Sequence, residues 1–442
     1  MKKDKILEII KDKEIKFIKL MFADISGDLR MLEIPVERIN TALDGKLLID
    51  GSSIRGLATI HNSDIFLRPD LATFTYLPYF SNGFGGVASF MCDFLNHAGE
   101  EMATCSRSNL KRELNKMNEM GFTVMNVGFE PEFFLLKSKK YTMVKKADLT
   151  NAGNYCGGES IDDCTTVRRE IMHELMRMGL DVICANTERA TSQHEITYRY
   201  REALSACDTL LLVKFLIKAI AKSRGYSATF MPKLVRKVNG SGLHTNISLG
   251  TATCKNVFTG KDGEIISDTA KAFTAGILKY ARALAFLTNP SINSYKRLVP
   301  GYEAPVNICW STANRSAMIR IPGEGAESAR IEVRCTDSTC NPYLAVSGLL
   351  VAGLDGIKNN LKVADPIGVN AYELTDAEKK KMKLTCLPCC LTEAMMEFTL
   401  SDFVKSSVTP EIAETLVRMK TEEVCEYRTH IGEFDFEKYF NV

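Results

Sequence analysis

The sequence predicts an α+β protein of two domains, and three observations carry that expectation. Short β-rich runs separated by turn chemistry fill roughly the first hundred residues. From about Arg107 the texture changes, and long helical segments alternate with β-rich runs. No low-complexity linker or internal repeat interrupts either region. At about 150 residues per domain, the 442 residues allow two or three domains, and the change of texture selects two, 1–102 and 103–442.

The elements follow in order. Residues 14–34 read as a hairpin: a β-rich run from Glu14 to Phe22, turn chemistry at Ser26-Gly27-Asp28, and a return that stops at Pro35. A short helix follows, and further strands lie near Thr73–Leu77 and Val87–Phe94, with a glycine-rich hairpin at Ser81–Gly86 between them. In the second domain, helical patterns cover 107–120, 164–179, 200–224, 268–288, 341–358 and 410–424. The β-rich runs cover 122–137, 181–199, 226–250 and 315–336. Several strands are expected to be antiparallel, with helices around them.

Composition excludes several classes of function. Lys and Arg total 56 against 54 Asp and Glu, a net charge of +2, and 45% of residues are hydrophobic. A disordered chain needs the opposite balance. There is also no overall basic field for nucleic acid or an anionic membrane. The most apolar stretch, Leu210–Ala221, is cut by Lys214 and Lys218 and does not read as a membrane span. The N-terminus lacks the apolar core of a secretory signal. The fourteen cysteines therefore point to a reduced, cytoplasmic chain. Cys386-Leu387-Pro388-Cys389-Cys390 contains a CxxC, but no second pair follows at zinc-ribbon spacing, so it reads as small apolar residues near a helix start.

Chemistry concentrates in a few motifs. In Gly128-Phe129-Glu130-Pro131-Glu132, the two carboxylates sit two residues apart on a β-rich run and so share one face. Set side by side among apolar neighbours they repel, which drives one towards protonation unless a cation intervenes. Mg²⁺ and Mn²⁺ favour such oxygen ligands. Glu188 and Glu195 flank a turn, His244 follows the glycine-rich Val238–Gly242, and Arg330, Glu332 and Arg334 alternate on another β-rich run. Arg297 and Glu303 lie in a loop punctuated by Pro and Gly, and Arg315 and Arg320 flank Ser316–Ile319. Guanidinium groups suit carboxylates and phosphates. Glutamates, one histidine and several arginines together fit metal-assisted phosphoryl transfer, without a P-loop.

The ordered set of motifs resembles the glutamine synthetase family, in its shorter bacterial and archaeal type I form. The resemblance runs through Asp50–Ser53, Ser63-Asp64 to Asp70, Gly128–Leu136, Glu188–Glu195, Lys233–His244, Asn293–Arg297, Arg320–Pro322 and Arg330–Tyr343. It implies a β-grasp N-terminal domain, a catalytic domain built on an antiparallel half-barrel with surrounding helices, and a homo-dodecamer of two hexameric rings with sites between subunits. The implied reaction joins ammonium to the γ-carboxylate of glutamate at the expense of ATP, through γ-glutamyl phosphate, with two or three Mg²⁺ or Mn²⁺ ions per site.

By motif position, the resemblance implies that Glu132, Glu188 and Glu195 hold one metal and that Glu130, His244 and Glu332 hold a second. Asn239, Gly240, Arg297 and Arg334 would bind glutamate, and Asn246, Ser248 and Arg330 the nucleotide. Arg315 would stabilise the transferred phosphoryl group. Asp50, from a neighbouring subunit, would bind and deprotonate ammonium with Ser53, Tyr155 and Glu188, and Glu303 would sit on a closing flap. The chain departs from the family pattern at Ile183, Asn186, Thr187, Thr191, Ser192, Leu234 and Thr336. Thr59 replaces an inhibitory Arg of some members, and Tyr372 lies near where longer members are adenylylated. Two other readings share the fold: a ligase joining glutamate to an organic amine, and a catalytically weak member with a structural or regulatory role.

Overall fold

The computed structural model describes residues 1–58, 63–137, 144–151, 154–261, 264–323, 328–440 and 442; Thr59 lies outside them. Helix α1 (Lys3–Asp12) leads into the expected hairpin, β1 (Ile15–Ala23) and β2 (Leu29–Pro35). The short helix is α2 (Ile39–Leu43). Strands β3 (Leu47–Asp50), β4 (Asp64–Pro69), β5 (Thr75–Tyr76) and β6 (Gly86–Leu95) complete a six-stranded sheet of order β2-β1-β6-β4-β3, with β5 on β6. The pattern had not marked β3 and β4, and the strand expected at 73–77 shrinks to two residues.

Alternation along the strands divides this sheet between two cores. Ile18, Leu20 and Phe22 of β1, with Ala88, Phe90 and Phe94 of β6, pack under α1 and α2 with Ile6 and Ala42. Met21, Val87 and Met91 face the other way, into the core of the large domain. A sheet covered on both faces reads as a continuous apolar run, and every residue of β6 is buried.

The large domain contains β7 (Val124–Leu136), β8 (Val182–Thr187), β9 (Gln193–Tyr198), β10 (Arg201–Glu202), β11 (Ser227–Thr229), β12 (Leu243–Gly250), β13 (Trp310–Thr312), β14 (Ile319–Ile321) and β15 (Ile331–Val333). They form a nine-stranded sheet of order β13-β14-β15-β12-β7-β9-β8, with β10 and β11 also on β7. All pairings in it are antiparallel except β13 with β14. The helices are α3 (Ser106–Glu119), α4 (Thr165–Arg177), α5 (Ala203–Ser223), α6 (Asp268–Thr288), α7 (Ser294–Arg297), α8 (Pro342–Lys358), α9 (Asp376–Lys381), α10 (Leu391–Leu400), α11 (Asp402–Lys405), α12 (Pro410–Thr429) and α13 (Glu433–Tyr439). Five of the six long helices match the sequence pattern within three residues at either end; α12 runs five residues past its expected end.

Helices α6 and α8 approach closely because both carry glycine at the crossing. A Cβ on Gly276 would lie 2.0 Å from the Ala352 carbonyl, and one on Gly356 would lie 2.0 Å from the Ala272 carbonyl. A buried charge cluster joins the small sheet to the helices. Arg107 of α3 donates to Asp208 of α5 at 2.8 and 2.9 Å, to Asp93 of β6 at 2.9 Å and to Asp70 at 2.8 Å. The Tyr343 hydroxyl of α8 also donates to Asp208, at 2.6 Å. Among the described residues no helix is long and apolar enough to cross a membrane.

Candidate active site

Strand register assembles the site. On β7, Phe129 and Phe133 turn into the cores while Glu130 and Glu132 line a cavity of about 200 Å³. The antiparallel pairing of β7 with β12 sets His244 opposite Glu130, and its pairing with β9 sets Glu195 opposite Glu132. On the far side of β12, β15 sets Glu332 opposite Asn246, and β14 sets Arg320 opposite Glu332. Directly opposed residues have Cβ atoms about 5 Å apart, so groups distant in sequence meet across five neighbouring strands. Glu188 follows β8 at the turn into β9 and lines the same cavity.

Two acidic groups result. Donor atoms of Glu130, His244 and Glu332 all lie within 4.8 Å of one another. His244 Nδ1 is 3.2 Å from Glu130 Oε2 and 3.6 Å from Glu332 Oε1. Asn246 donates to Glu130 Oε1 at 2.9 Å. Burial would raise the Glu130 carboxyl, but contact with His244 and Asn246 outweighs it and brings it down to about 2. Glu132 accepts from the Gly242 amide at 2.8 Å and from Gln193 Nε2 at 2.9 Å, and His244 Nε2 is 3.9 Å away. Burial, together with Glu132, Glu130 and Glu188, pushes Glu195 up to about 9. Burial and Glu132 raise Glu188 too, and Asn186 partly offsets this by donating to it at 2.9 Å.

Those raised carboxyls provide a test of the metal expectation. Four carboxylates converge with too little positive charge to ionise them all, and a divalent cation is the group that would relieve the repulsion. The donor set therefore fits the metals expected from the motifs.

The arginines stand at the other wall. Arg334 Nη1 donates to Glu332 at 2.6 Å, and Arg320 pairs with the opposite oxygen. Arg315 lines the cavity, and so do Asn239, Gly240 and Tyr155. Burial, then Glu188, raises the Tyr155 hydroxyl. Arg297 also lines it, but its guanidinium donates to the backbone carbonyls of Arg334, Cys335 and Thr336 at 2.7–3.2 Å. Glu303 lines the cavity too. It sits at φ +57°, a left-handed conformation unusual for glutamate, accepts from Asn239 at 2.8 Å and pairs with Arg189.

A second cavity of about 840 Å³ adjoins the first through Glu130 and Thr197. Asn246, Ser248 and Arg330 line it, and Arg330 Nε donates to Asn246 at 3.0 Å. Asp50 and Ser53 line neither cavity. Both are exposed on the small domain, where Asp50 accepts from the Ser52 and Ser53 hydroxyls at 2.6 Å, and these bonds lower its carboxyl.

Three further side chains take part to which the motifs assign no role. Arg189 reaches Glu303 across 114 residues. Gln193 ties Glu132 to Gly240 and Ser241, and Asn186 orients Glu188. The signal for the last two was their alternation with Glu195 and Glu188.

Two family models match the chain: the glutamine synthetase β-grasp domain over residues 14–97 and the glutamine synthetase catalytic domain over 103–439. The chain belongs to the glutamine synthetase family. It is 40% identical to glutamine synthetases of Staphylococcus epidermidis and Staphylococcus aureus, over 99% of this chain and 98% of theirs. Among solved structures, an ADP complex of GmaS superposes with a TM-score of 0.90 at 26% identity. The Plasmodium falciparum glutamine synthetase does so with 0.88 at 25%, each covering 99% of both chains. Glutamine synthetases use ATP and divalent metal. Of the departures from the family pattern, Ile183 is 60% exposed and lines the larger cavity, Asn186 lines the smaller, and Thr336 is buried.

Proposed function

We propose that the protein makes glutamine from glutamate, ammonium and ATP, releasing ADP and phosphate. The observation that carries this reading is one pair of joined cavities. One holds clustered carboxylates facing arginines, and the other, large enough for a nucleotide, opens beside them. Forty per cent identity to curated glutamine synthetases over nearly the whole chain supports it.

A carboxylate is a poor electrophile, and oxide is not a viable leaving group. The γ-carboxylate of glutamate must therefore attack the γ-phosphorus of ATP, expel ADP and become an acyl phosphate. Asn246, Ser248 and Arg330 hold the nucleotide in the larger cavity. Asn239, Gly240, Arg297 and Arg334 hold glutamate, and Arg297 also braces the segment from Arg334 to Thr336 through its carbonyls. Arg315 offsets charge on the phosphoryl group in flight. Glu132, Glu188 and Glu195 would hold one Mg²⁺ or Mn²⁺ ion and Glu130, His244 and Glu332 a second, within a set of two or three; such ions would neutralise phosphate charge and polarise the phosphoryl oxygens.

Ammonium has no lone pair and cannot attack. Asp50 and Ser53 of a neighbouring copy, with Tyr155 and Glu188, bind it; Asp50 takes a proton, and the resulting ammonia attacks the acyl carbon and displaces phosphate. Glu303, held by Arg189 and Asn239, keeps water from the acyl phosphate. The exposure of Asp50 and Ser53, away from their own chain's cavities, supports sites shared between subunits of a dodecamer of two hexameric rings. Domains of 1–102 and 103–442 accord with this division of labour, and fourteen unpaired thiols accord with a cytoplasmic protein.

Phosphate release from ATP, with Mg²⁺ and glutamate and with ammonium compared against a panel of amines, tests the reading. Ammonium should be the preferred acceptor. Turnover with an amine alone would assign the same fold to an amine ligase. No turnover with any acceptor, in folded and metal-loaded protein, would assign a structural or regulatory role.

A further inference from the structure

We propose that Cys389 and Cys390, with the carboxylate of Glu393, form a binding site for one thiophilic divalent cation, of the Zn²⁺ or Cd²⁺ kind, at the start of α10. The three donors lie within 4.8 Å of one another. None of them lines either catalytic cavity. Both thiols are free and exposed, contrary to the small apolar role that their sequence suggests.

The local backbone explains how adjacent cysteines converge on one carboxylate. Cys390 is the N-cap of α10 in an extended conformation, φ −154°, and its side chain makes no capping bond. Glu393 stands one turn into the helix and reaches back, accepting from the Cys389 amide at 2.6 Å. That bond holds the carboxylate beside the two sulfurs. Arg282 of α6 pairs with the other carboxylate oxygen and with Glu397 at 2.8 Å, which fixes the carboxylate from the far side. Cys386, although part of the same CxxC, gives its thiol to Asn307 Oδ1 at 3.5 Å and is not counted among the ligands.

Charge and softness decide the class of ligand. A thiol binds a metal as its thiolate, giving up its proton on binding. Exchanging the two thiol protons for one divalent cation leaves the local charge unchanged and gives Glu393 a cation to ligate. Two thiolates select Zn²⁺ or Cd²⁺ over Mg²⁺, and three protein ligands leave the fourth tetrahedral position to water. The site therefore differs in chemistry from the all-oxygen and histidine cluster of the catalytic cavity.

Titrating the full-length protein with Cd²⁺ in saturating Mg²⁺, and following the ultraviolet charge-transfer band of cadmium thiolate, tests this. Wild type should take up one equivalent per chain with the band. The Cys389→Ser/Cys390→Ser double variant should lose that equivalent while keeping its circular dichroism spectrum and its ammonium-dependent phosphate release. Glu393→Gln should bind at least tenfold more weakly. A double variant with the full band, a wild type without it, or a Glu393→Gln variant as tight as wild type would each overturn the proposal. If the double variant does not fold, the single variants Cys389→Ser and Cys390→Ser carry the same reading.

Discussion

Binding of a divalent cation in the catalytic cavity should release a proton from Glu195. Burial and the neighbouring Glu132, Glu130 and Glu188 carboxylates push its carboxyl up to about 9, so the metal-free protein holds that proton at pH 7. A metal ligand must be deprotonated. The displacement spans about two pH units at neutral pH, about 2.7 kcal/mol or roughly a hundredfold in apparent affinity. Because the metal-free state binds the extra proton, affinity must rise with pH, about tenfold per unit below pH 9, and level off above. Glu188, raised by burial and Glu132, can only steepen this. The assay is calorimetric titration with Mn²⁺ from about pH 6.5 to 8.5, in buffers of different ionisation enthalpy, which reads the proton directly. Glu195→Gln should flatten the slope. An affinity independent of pH, with no proton released from wild type, would show Glu195 already ionised and would refute the repulsion argument.

Glu130→Ala and Glu132→Ala should each lower phosphate release by about a hundredfold or more while melting like wild type; near-normal turnover in both would remove them from the chemistry. Glu303→Ala should uncouple the enzyme, so that the phosphate formed exceeds the glutamine formed when both products are assayed together. Burial, then Arg168, lowers His194 to about 3, so the folded protein keeps it neutral. The stability this contributes is present above pH 6.5 and is lost as pH falls towards 3. Between pH 6.5 and 4.5, wild type should lose about 2–3 kcal/mol more than His194→Asn in urea unfolding. Arg107→Met leaves Asp70, Asp93 and Asp208 without their buried partner and should cost about 3–5 kcal/mol, read as a lowered Tm.

Which features were legible depended on how local their cause is. The long helices of the catalytic domain follow from apolar spacing within each segment, and α6 and α8 began and ended almost where that spacing placed them. Glu130 and Glu132 were readable because strand alternation alone sets them on one face. Strands β3, β4 and β10 were not, because two to six residues carry too little pattern and owe their form to the strand beside them. The bond between Arg189 and Glu303 joins segments 114 residues apart, and nothing in either neighbourhood announces the other. Arg297 shows a different limit. Its place in the cavity wall was expected from the motif, whereas its bonds to three consecutive backbone carbonyls depend on how the chain turns after β15. Cys389 and Cys390 read as small apolar residues near a helix start; a helix does start there, but both thiols are exposed.

The pairing of β12 with β7 on one side and β15 on the other has a consequence for how this chain can change over time. His244, Asn246 and Ser248 all point into the cavities because every second residue of β12 does. One added or deleted residue there would turn all three towards the packed interior, and would bring Leu243 and Leu249 out in their place. No single substitution could repair that. Length variation in descendants of this protein is therefore confined to the connections between strands, while the strands themselves can diverge only by replacement. The spacing between Glu130 and Glu132, or between His244 and Asn246, should outlast most of the side chains around it.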